Sequence, residues 1–251
     1  ADSLGTGRSQ RLELSFLPGW RSEEMAHYLR VVAPAQIDAD AFLDVVASRR
    51  GLSGRYSFLG ALPEGASLEG YLFPGAYPIG RDTTAPVLVD LMLTRFDEQV
   101  TPATRQAYGA LGLSLRDAVI LASIIQREAA LDEEKPLMAA VFLNRLRAGM
   151  PLQADPTVQY ALGYDEASAT WWKVPLSAGD LLVRSPYNTY LFGGLPPGPI
   201  SNPGRAALEA VANPAAVDYL FFVLDCAAAT PGAHAFSTTY DEHVANVERC
   251  R

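Results

Sequence analysis

The first eighty residues contain two strand-like segments with two short helical patterns between them. Segment 11–19, RLELSFLPG, alternates apolar and polar residues before a Pro-Gly stop and therefore predicts a strand. Ser22 is a candidate cap for the helix SEEMAHYLR, and Asp38 or Asp40 for the helix DADAFLDVVASRR. The aromatic-rich segment SLEGYLFPGAYPIG predicts a second strand. Together these patterns predict a small β-α-α-β domain over residues 8–82.

Helical periodicity dominates from residue 83 onward. Apolar residues recur at three- and four-residue spacing in APVLVDLMLTRFDEQV, SLRDAVILASIIQREAAL and KPLMAAVFLNRLRAG. Three later Pro-led starts, Asp155-Pro156, Ser185-Pro186 and Asn202-Pro203, place a capping side chain before a proline and predict short helices. Residues 83–251 are therefore expected to form a second, larger and mainly helical domain.

The C-terminal segment adds a few strands to this domain. DYLFFVLD and HAFS predict a strand pair, and Thr239 with Glu242 forms a capping-box signature for a final helix. The expected fold class is α+β, with a small β-α-α-β domain followed by the helical one.

Composition limits the kind of partner. A formal net charge of -8 disfavours a protein face that wraps the phosphate backbone, so no nucleic acid partner is expected. No apolar run reaches the ~20 residues of a membrane helix. The first ten residues lack the basic start and apolar centre of a secretion signal. Cys226 and Cys250 are either unconnected thiols or, in an oxidising compartment, a disulfide.

Glu128 is the residue whose position suggests chemistry. It lies four residues after Ile124 and eight after Ile120, so on a helix it continues an apolar stripe. Burial there would raise the pKa of its carboxyl and keep the group protonated near neutral pH, as a general acid requires. A solvated glutamate near a helix end has the same spacing, so periodicity alone leaves both interpretations open.

Several segments resemble the MltG (YceG-like) family of endolytic murein transglycosylases in order and spacing. They are ASIIQREAALDEEKPLMAAVFLNRLRAGMPLQADPTVQYALG, SPYNTYLFGGLPPGPISNPG, LEGYLFPGAYPI and HAFSTTYDEH. The resemblance implies a membrane-anchored enzyme facing the cell wall that cuts glycan strands and leaves 1,6-anhydro-muramyl ends. Its catalytic glutamate matches Glu128. The family usually has Thr or Ser at the next position, whereas this chain has Ala129.

The implied mechanism needs one carboxyl, which acts first as acid and then as base without consuming water. A hydrolase would need a second carboxylate, for which Asp132 and Asp155 are the candidates in the sequence. Tyr187 and Asn188 resemble a Tyr-Asn pair that holds the sugar acetamido group or stabilises oxocarbenium charge. Alternatively, they form a capped turn around a buried tyrosine.

Further candidates come from loops and from one helix. Gln153 and Asp155 are expected to line the same groove, although Asp155 is equally interpretable as a helix cap. Asn144 and Arg145 either support Glu128 or form a solvated helix face, and the sequence favours the solvated face. Trp171 and Trp172 are candidates for stacking on sugars, with core packing the alternative.

The resemblance also implies partners and a location. Residues 8–82 resemble a LysM module that binds glycans containing N-acetylglucosamine, or they are a plain packing domain. Peptidoglycan strands are the expected substrate and peptidoglycan synthases candidate partners. The protein is expected outside the cytoplasm, attached to the membrane only through an N-terminal anchor absent from these residues.

Two rival functions remain open at this stage. One is a non-catalytic glycan-binding or scaffold protein, which Ala129 favours. The other is a pyridoxal-phosphate lyase, which needs a Schiff-base lysine. The chain offers only Lys135, whose acidic helix-start context predicts a solvated side chain, and Lys173. No cofactor is expected, and three histidines without ligand spacing predict no metal site.

Overall fold

The computed structural model describes residues 12–52 and 56–250. The predictions for the first ten residues and for the start of the first domain at residue 8 lie outside this part. The elements in chain order are β1 (Leu12–Phe16), α1 (Ser22–Val32), α2 (Ala39–Ser48), α3 (Ser57–Gly60), β2 (Gly75–Ile79), α4 (Ala85–Gln99), α5 (Pro102–Ala110), α6 (Leu115–Glu128), α7 (Lys135–Arg147), α8 (Asp155–Leu162), α9 (Arg205–Ala212), β3 (Phe221–Leu224), β4 (His234–Ser237) and α10 (Tyr240–Glu248).

The N-terminal part follows the predicted β-α-α-β order with shorter elements and with one extra helical turn, α3, between α2 and β2. β1 pairs antiparallel with β2, with Leu14 opposite Tyr77, and both side chains are buried. Asp38 caps α2 by accepting hydrogen bonds from two backbone N–H groups. Ser22 is not the cap of α1 but its first residue, and Arg21 takes the cap position.

The second strand is shorter than predicted because the chain turns sharply before it. Gly70 has a φ of +88° and lies so close to its neighbours that an added Cβ would meet Pro199 at 2.5 Å. Residues 69–72 therefore form a turn beside Pro199, and β2 begins only at Gly75.

α6 is the central helix. Every side chain from Ala118 to Ile125 is buried, and the helix packs against α5, α7, α8 and α9. Ser114 starts α6 through a capping box with Asp117. α6 ends at Glu128, three residues earlier than the periodic segment predicts. Consequently Asp132 lies outside the helix, in a 3-10 turn, and does not share a helical face with Glu128.

Other differences from the predicted elements are local. α3 and α5 were not predicted. Ser185-Pro186 leads into turns rather than a helix, and Asn202-Pro203 precedes a helix that begins only at Arg205. The predicted strand pair is confirmed as β3 and β4, which pair antiparallel, and the Thr239–Glu242 capping box starts α10. The α+β fold class is confirmed.

Cys226 and Cys250 form a disulfide that joins the chain after β3 to the chain after α10. Of the two interpretations of these cysteines, the bonded one holds. Among residues 12–52 and 56–250, no single helix is long and apolar enough to cross a membrane. α5 and α6 together reach that length and apolarity, but they meet at 90°.

Candidate active site

Glu128 is the last residue of α6 and is partly buried. Burial raises the pKa of its carboxyl to about 8, and the negative charge of Asp155 acts in the same direction. The positive charges of Arg145 and Arg127 oppose the shift without cancelling it. Glu128 is therefore predominantly protonated at neutral pH, the form that can donate a proton.

Asp155 and Tyr190 form a hydrogen-bonded pair in the electrostatic environment of Glu128. The Tyr190 hydroxyl donates to Asp155 Oδ1 at 2.6 Å. Burial raises the pKa of Tyr190, and the charges of Asp155 and Glu128 both contribute. Asp155 is the first residue of α8 and makes no capping hydrogen bond there, since Ala154 occupies the cap position. The helix-cap interpretation of Asp155 is therefore wrong.

Arg145 is buried beside this group, contrary to the solvated helix face that the sequence favours. Its Nε donates to the carbonyl of Leu220 and its Nη1 to the carbonyl of Leu152, both at 2.6 Å. Because both hydrogen-bond partners are neutral carbonyls, they do not neutralise the positive charge of the guanidinium, which acts electrostatically on Glu128. Asn144 on the same helix donates to two carbonyls of the segment leading to β3.

Backbone and threonine contacts hold the 153–155 loop against the 188–190 loop. Gln153 is exposed and has a φ of +50°, and its N–H donates to the carbonyl of Thr189 at 3.2 Å. The buried Thr189 hydroxyl accepts from the Ala154 N–H and lies 2.9 Å from the Thr157 hydroxyl. These contacts hold the loop that carries Gln153 and Asp155 against the loop that carries Tyr190.

Asn188 has no side-chain donor left for a ligand. It is fully buried, and its amide donates to the carbonyls of Leu181 and Val183, both at 2.9 Å. Its Oδ1 accepts from the Tyr190 N–H at 3.0 Å. The side chain therefore shapes the loop that carries Tyr190, which is an indirect role rather than the direct sugar contact expected from the sequence.

Tyr187 lies in a different group of side chains from Glu128. Its ring packs on Tyr160 with centroids 4.8 Å apart. Burial raises the pKa of Tyr187, and the charged groups that act on it are Glu69, Arg116 and Arg21. The structure therefore places Asp155 where its charge acts on Glu128, with Gln153 on the same loop, and places Tyr187 in this second group.

Glu69, in the second group, was not identified from the sequence. It is buried and accepts from the Ser22 N–H at 3.0 Å, the Ser22 hydroxyl at 2.6 Å and Asn202 Nδ2 at 2.7 Å. Burial raises the pKa of its carboxyl to about 7. Asn202 Oδ1 in turn accepts from the N–H groups of Gly70 and Leu72. A charged residue inside the apolar run LEGYLF was the available signal.

The two tryptophans occupy different environments. Trp172 is buried, donates from Nε1 to Glu24 at 2.9 Å, and lies under the Arg127 guanidinium at 3.9 Å. Core packing is thus the correct interpretation for Trp172. Trp171 is only partly buried and packs edge-on against Tyr164.

The two lysines are both paired with carboxylates. Lys135 is buried, not solvated as its sequence context suggests, and pairs with Asp132. Lys173 pairs with Asp180 at 2.9 Å. Asp132 is thereby used as the partner of a buried cation, which leaves Asp155 as the carboxylate that acts on Glu128.

Comparison with known proteins identifies relatives of this chain. A sequence profile of the YceG-like family matches residues 1–249. Proteins named endolytic murein transglycosylase from Bacillus subtilis and Streptococcus pneumoniae are 37% and 35% identical over 177 and 183 residues. These alignments cover 70% and 72% of this chain but 46% and 32% of those relatives, so the chain spans less than half of their length.

A solved structure extends the likeness to the fold. The crystal structure of a YceG-like protein from Listeria monocytogenes matches with a TM-score of 0.75 at 30% identity, covering 94% of this chain and 75% of that one. The chain therefore belongs to the YceG-like family.

Proposed function

We propose that the chain is an endolytic peptidoglycan lytic transglycosylase. It cleaves the β-1,4 bond between MurNAc and GlcNAc without water and leaves a 1,6-anhydro-MurNAc end. The observation that carries this proposal is Glu128, a carboxyl with a pKa of about 8 at the end of a buried helix. The names of the relatives from Bacillus subtilis and Streptococcus pneumoniae supply the substrate class.

Glu128 acts twice in the proposed reaction. Its proton passes to the glycosidic oxygen as the bond from that oxygen to the anomeric carbon of MurNAc breaks. The resulting carboxylate then takes the proton of the muramyl 6-hydroxyl as O6 bonds to the anomeric carbon. The leaving GlcNAc gains one proton, MurNAc loses one, and Glu128 ends protonated.

Asp155 has an electrostatic part in this scheme. Its charge helps to keep Glu128 protonated before the reaction and counters the positive charge that develops on the sugar ring. Tyr190 fixes its orientation through the 2.6 Å hydrogen bond. Gln153 extends from the same loop as a substrate-binding residue. Tyr187 serves as a second contact further along the strand, with Asn188 shaping the loop between them.

We infer that residues 8–82 are a LysM-like glycan-binding domain and residues 83–251 the catalytic domain. The Cys226–Cys250 disulfide supports an oxidising compartment outside the cytoplasm. A membrane anchor preceding these residues, and peptidoglycan synthases as partners, belong to the same proposal.

Digestion of purified peptidoglycan, followed by mass spectrometry, tests the reaction. The wild-type chain should release fragments with 1,6-anhydro ends. Glu128→Gln, which cannot donate a proton, should lower their rate of formation by at least ~100-fold. Glu133→Gln, an exposed residue of the same charge, is the matched control and should act like wild type.

Two results would count against the proposal. Absence of anhydro ends with wild-type protein that still binds the polymer would favour the non-catalytic, glycan-binding alternative. Anhydro ends that persist in Glu128→Gln would transfer the acid role to another residue.

A further inference from the structure

A cleft of about 860 Å³ lies between α1 and the 164–171 segment. The 164–171 wall is held by local hydrogen bonds. Asp165 and Thr170 exchange two backbone hydrogen bonds, and the Asp165 carboxylate accepts from the Ser168 N–H at 2.9 Å. The cleft is thus a preformed site between the N-terminal β-α-α-β unit and the later helical part of the chain.

Aromatic rings cover both walls of this cleft. Trp20 and Tyr28 pack together on one side, with centroids 5.4 Å apart, and Tyr164 and Trp171 pack edge to face on the other, 5.1 Å apart. Tyr164 is 42% exposed although it is a large aromatic residue. Rings on two facing walls suit a ligand with flat apolar faces.

The charges around the cleft are largely compensated within the protein. Glu23 accepts two hydrogen bonds from Arg21, at 2.8 and 2.9 Å. The carboxylate of Glu24 accepts from Trp172 Nε1 and lies in the field of Arg127. On the same helix, the guanidinium of Arg30 pairs with Asp40.

Glu166 is left without an ion-pair partner within the described part of the chain. One unpaired carboxylate repels anions and offers little to a polycation. The compensated charges and the aromatic walls together favour an uncharged ligand that carries hydroxyl and amide groups.

We propose that this cleft binds N-acetylhexosamine units of a glycan strand, as a site distinct from the one at which Glu128 acts. Pyranose rings have apolar faces for the aromatic walls, and their hydroxyl groups can donate to carboxylates such as Glu166 and Glu24. The identification of the strand as peptidoglycan rests on the function proposed above, whereas binding of the sugar does not.

A chain of contacts connects this cleft with the proposed catalytic group. Glu24 in the cleft wall accepts from Trp172, whose ring lies under the Arg127 guanidinium, and Arg127 precedes Glu128 in the sequence. Two side chains, Trp172 and Arg127, therefore link the cleft wall to the residue beside Glu128. Long strands that occupy both places should be preferred over short ones.

Tryptophan fluorescence offers a direct test. The chain has three tryptophans, and Trp20 and Trp171 line the cleft while Trp172 lies directly behind it. Titration of Glu128→Gln protein with a linear hexamer of N-acetylglucosamine should give a saturable change in emission. Tyr164→Ala, made in the same background, should weaken binding about 3- to 10-fold, the effect of losing one aromatic contact.

Tyr240→Ala is the matched control, because Tyr240 is 65% exposed and lies on α10, away from the cleft lining. It should leave the affinity unchanged. No saturable emission change, or equal affinity for the hexamer in Tyr164→Ala, would overturn the proposal. A change caused by a lysine-containing peptide and not by the hexamer would also overturn it, in favour of a peptide site.

A kinetic comparison separates this proposal from the catalytic one. With Tyr164→Ala in the otherwise unaltered protein, KM should rise for long glycan strands while kcat stays close to wild type. If the cleft does not bind the hexamer, wild type can still form anhydro ends. If wild type forms no anhydro ends, the hexamer can still bind in the cleft.

Discussion

At the scale of single residues, the protonation state of Glu128 results from opposing influences. Burial and Asp155 raise the pKa of its carboxyl, and two arginines lower it. Arg145 is held by main-chain carbonyls rather than by a carboxylate, so its charge remains available to the site. Changing one of these charges should therefore shift the pKa of Glu128 in a known direction.

The pH dependence of cleavage tests this balance. Because the acid must be protonated, kcat/KM should fall with rising pH above about 8, by about tenfold per pH unit. Asp155→Asn removes a negative charge that favours the protonated form, so this fall should begin at a lower pH. Rates of anhydro-end formation measured between pH 5 and 10 give both profiles.

Glu133→Gln removes one negative charge from an exposed position and is the control for a general charge effect. It should leave the midpoint of the profile where wild type has it. A midpoint that moves upward in Asp155→Asn would contradict the assigned direction of the electrostatic interaction.

Sequence reasoning at this scale narrowed the possibilities without deciding between them. The apolar stripe through Ile120 and Ile124 allowed either a buried or a solvated Glu128, and the structure shows a partly buried one. The Asp155–Tyr190 pair joins residues 35 positions apart, and no local pattern reports such a contact. The burial of Arg145 was missed because its partners are main-chain carbonyls, which any sequence provides.

At the scale of elements, capping signatures predicted some helix starts and missed others. The Thr239–Glu242 capping box is confirmed, and of the two candidates Asp38 and Asp40 it is Asp38 that caps α2, whereas Ser22 does not cap α1. Ser185-Pro186 has the same local signature as a helix start, yet Asn188 binds the preceding carbonyls and closes a turn instead. Tertiary hydrogen bonds decided between two structures that the local sequence allows equally.

The C-terminal elements depend on a covalent link as well as on packing. The disulfide joins residues 24 apart and encloses β4 and α10. Replacing both cysteines with serine should lower the free energy of unfolding by ~3 kcal/mol, because the unfolded chain gains conformational freedom. Urea unfolding followed by circular dichroism measures this difference.

Reduced wild-type protein should unfold at the same urea concentration as the double variant, which controls for the serine substitutions themselves. A loss below ~1 kcal/mol in both would show that packing alone holds these elements. Cleavage activity should persist at concentrations of urea below the transition, since neither cysteine belongs to the proposed site.

At the scale of the whole molecule, one buried carboxylate connects distant parts of the chain. Glu69 binds Ser22 at the start of α1 and Asn202 near α9, and Asn202 binds back to Gly70 and Leu72. The family resemblance covers the segments that contain Glu69 and Asn202, but it did not predict that these segments are in contact. Contacts across 133 residues of sequence follow from the packed fold.

This carboxylate should make stability depend on pH. The pKa of Glu69 is about 7 in the folded protein, above the ordinary 4.5, so its contribution to stability is full below pH 4.5 and is lost as pH rises through 7. Glu69→Gln should remove this part of the slope, which is on the order of 3 kcal/mol at most. Urea unfolding at several pH values between 4 and 8 measures it.

Glu133→Gln should retain the wild-type slope, since that side chain is exposed. An unaltered slope in Glu69→Gln would mean that Glu69 is ionised to the same extent in the folded and unfolded chains. Glu128→Gln offers an internal comparison. Because burial raises the pKa of Glu128 to about 8, the pH dependence of the free energy of unfolding that this variant loses should extend up to about pH 8.

The direction of α6 has a consequence for how the proposed catalyst recovers. The last carbonyls of a helix carry a partial negative charge, and Glu128 is the residue at which α6 ends. A carboxylate created there by proton donation is electrostatically disfavoured, whereas the neutral acid is not. The helix therefore favours recapture of a proton, and the muramyl 6-hydroxyl supplies one in the same turnover, so the next strand meets an acid already restored without help from solvent.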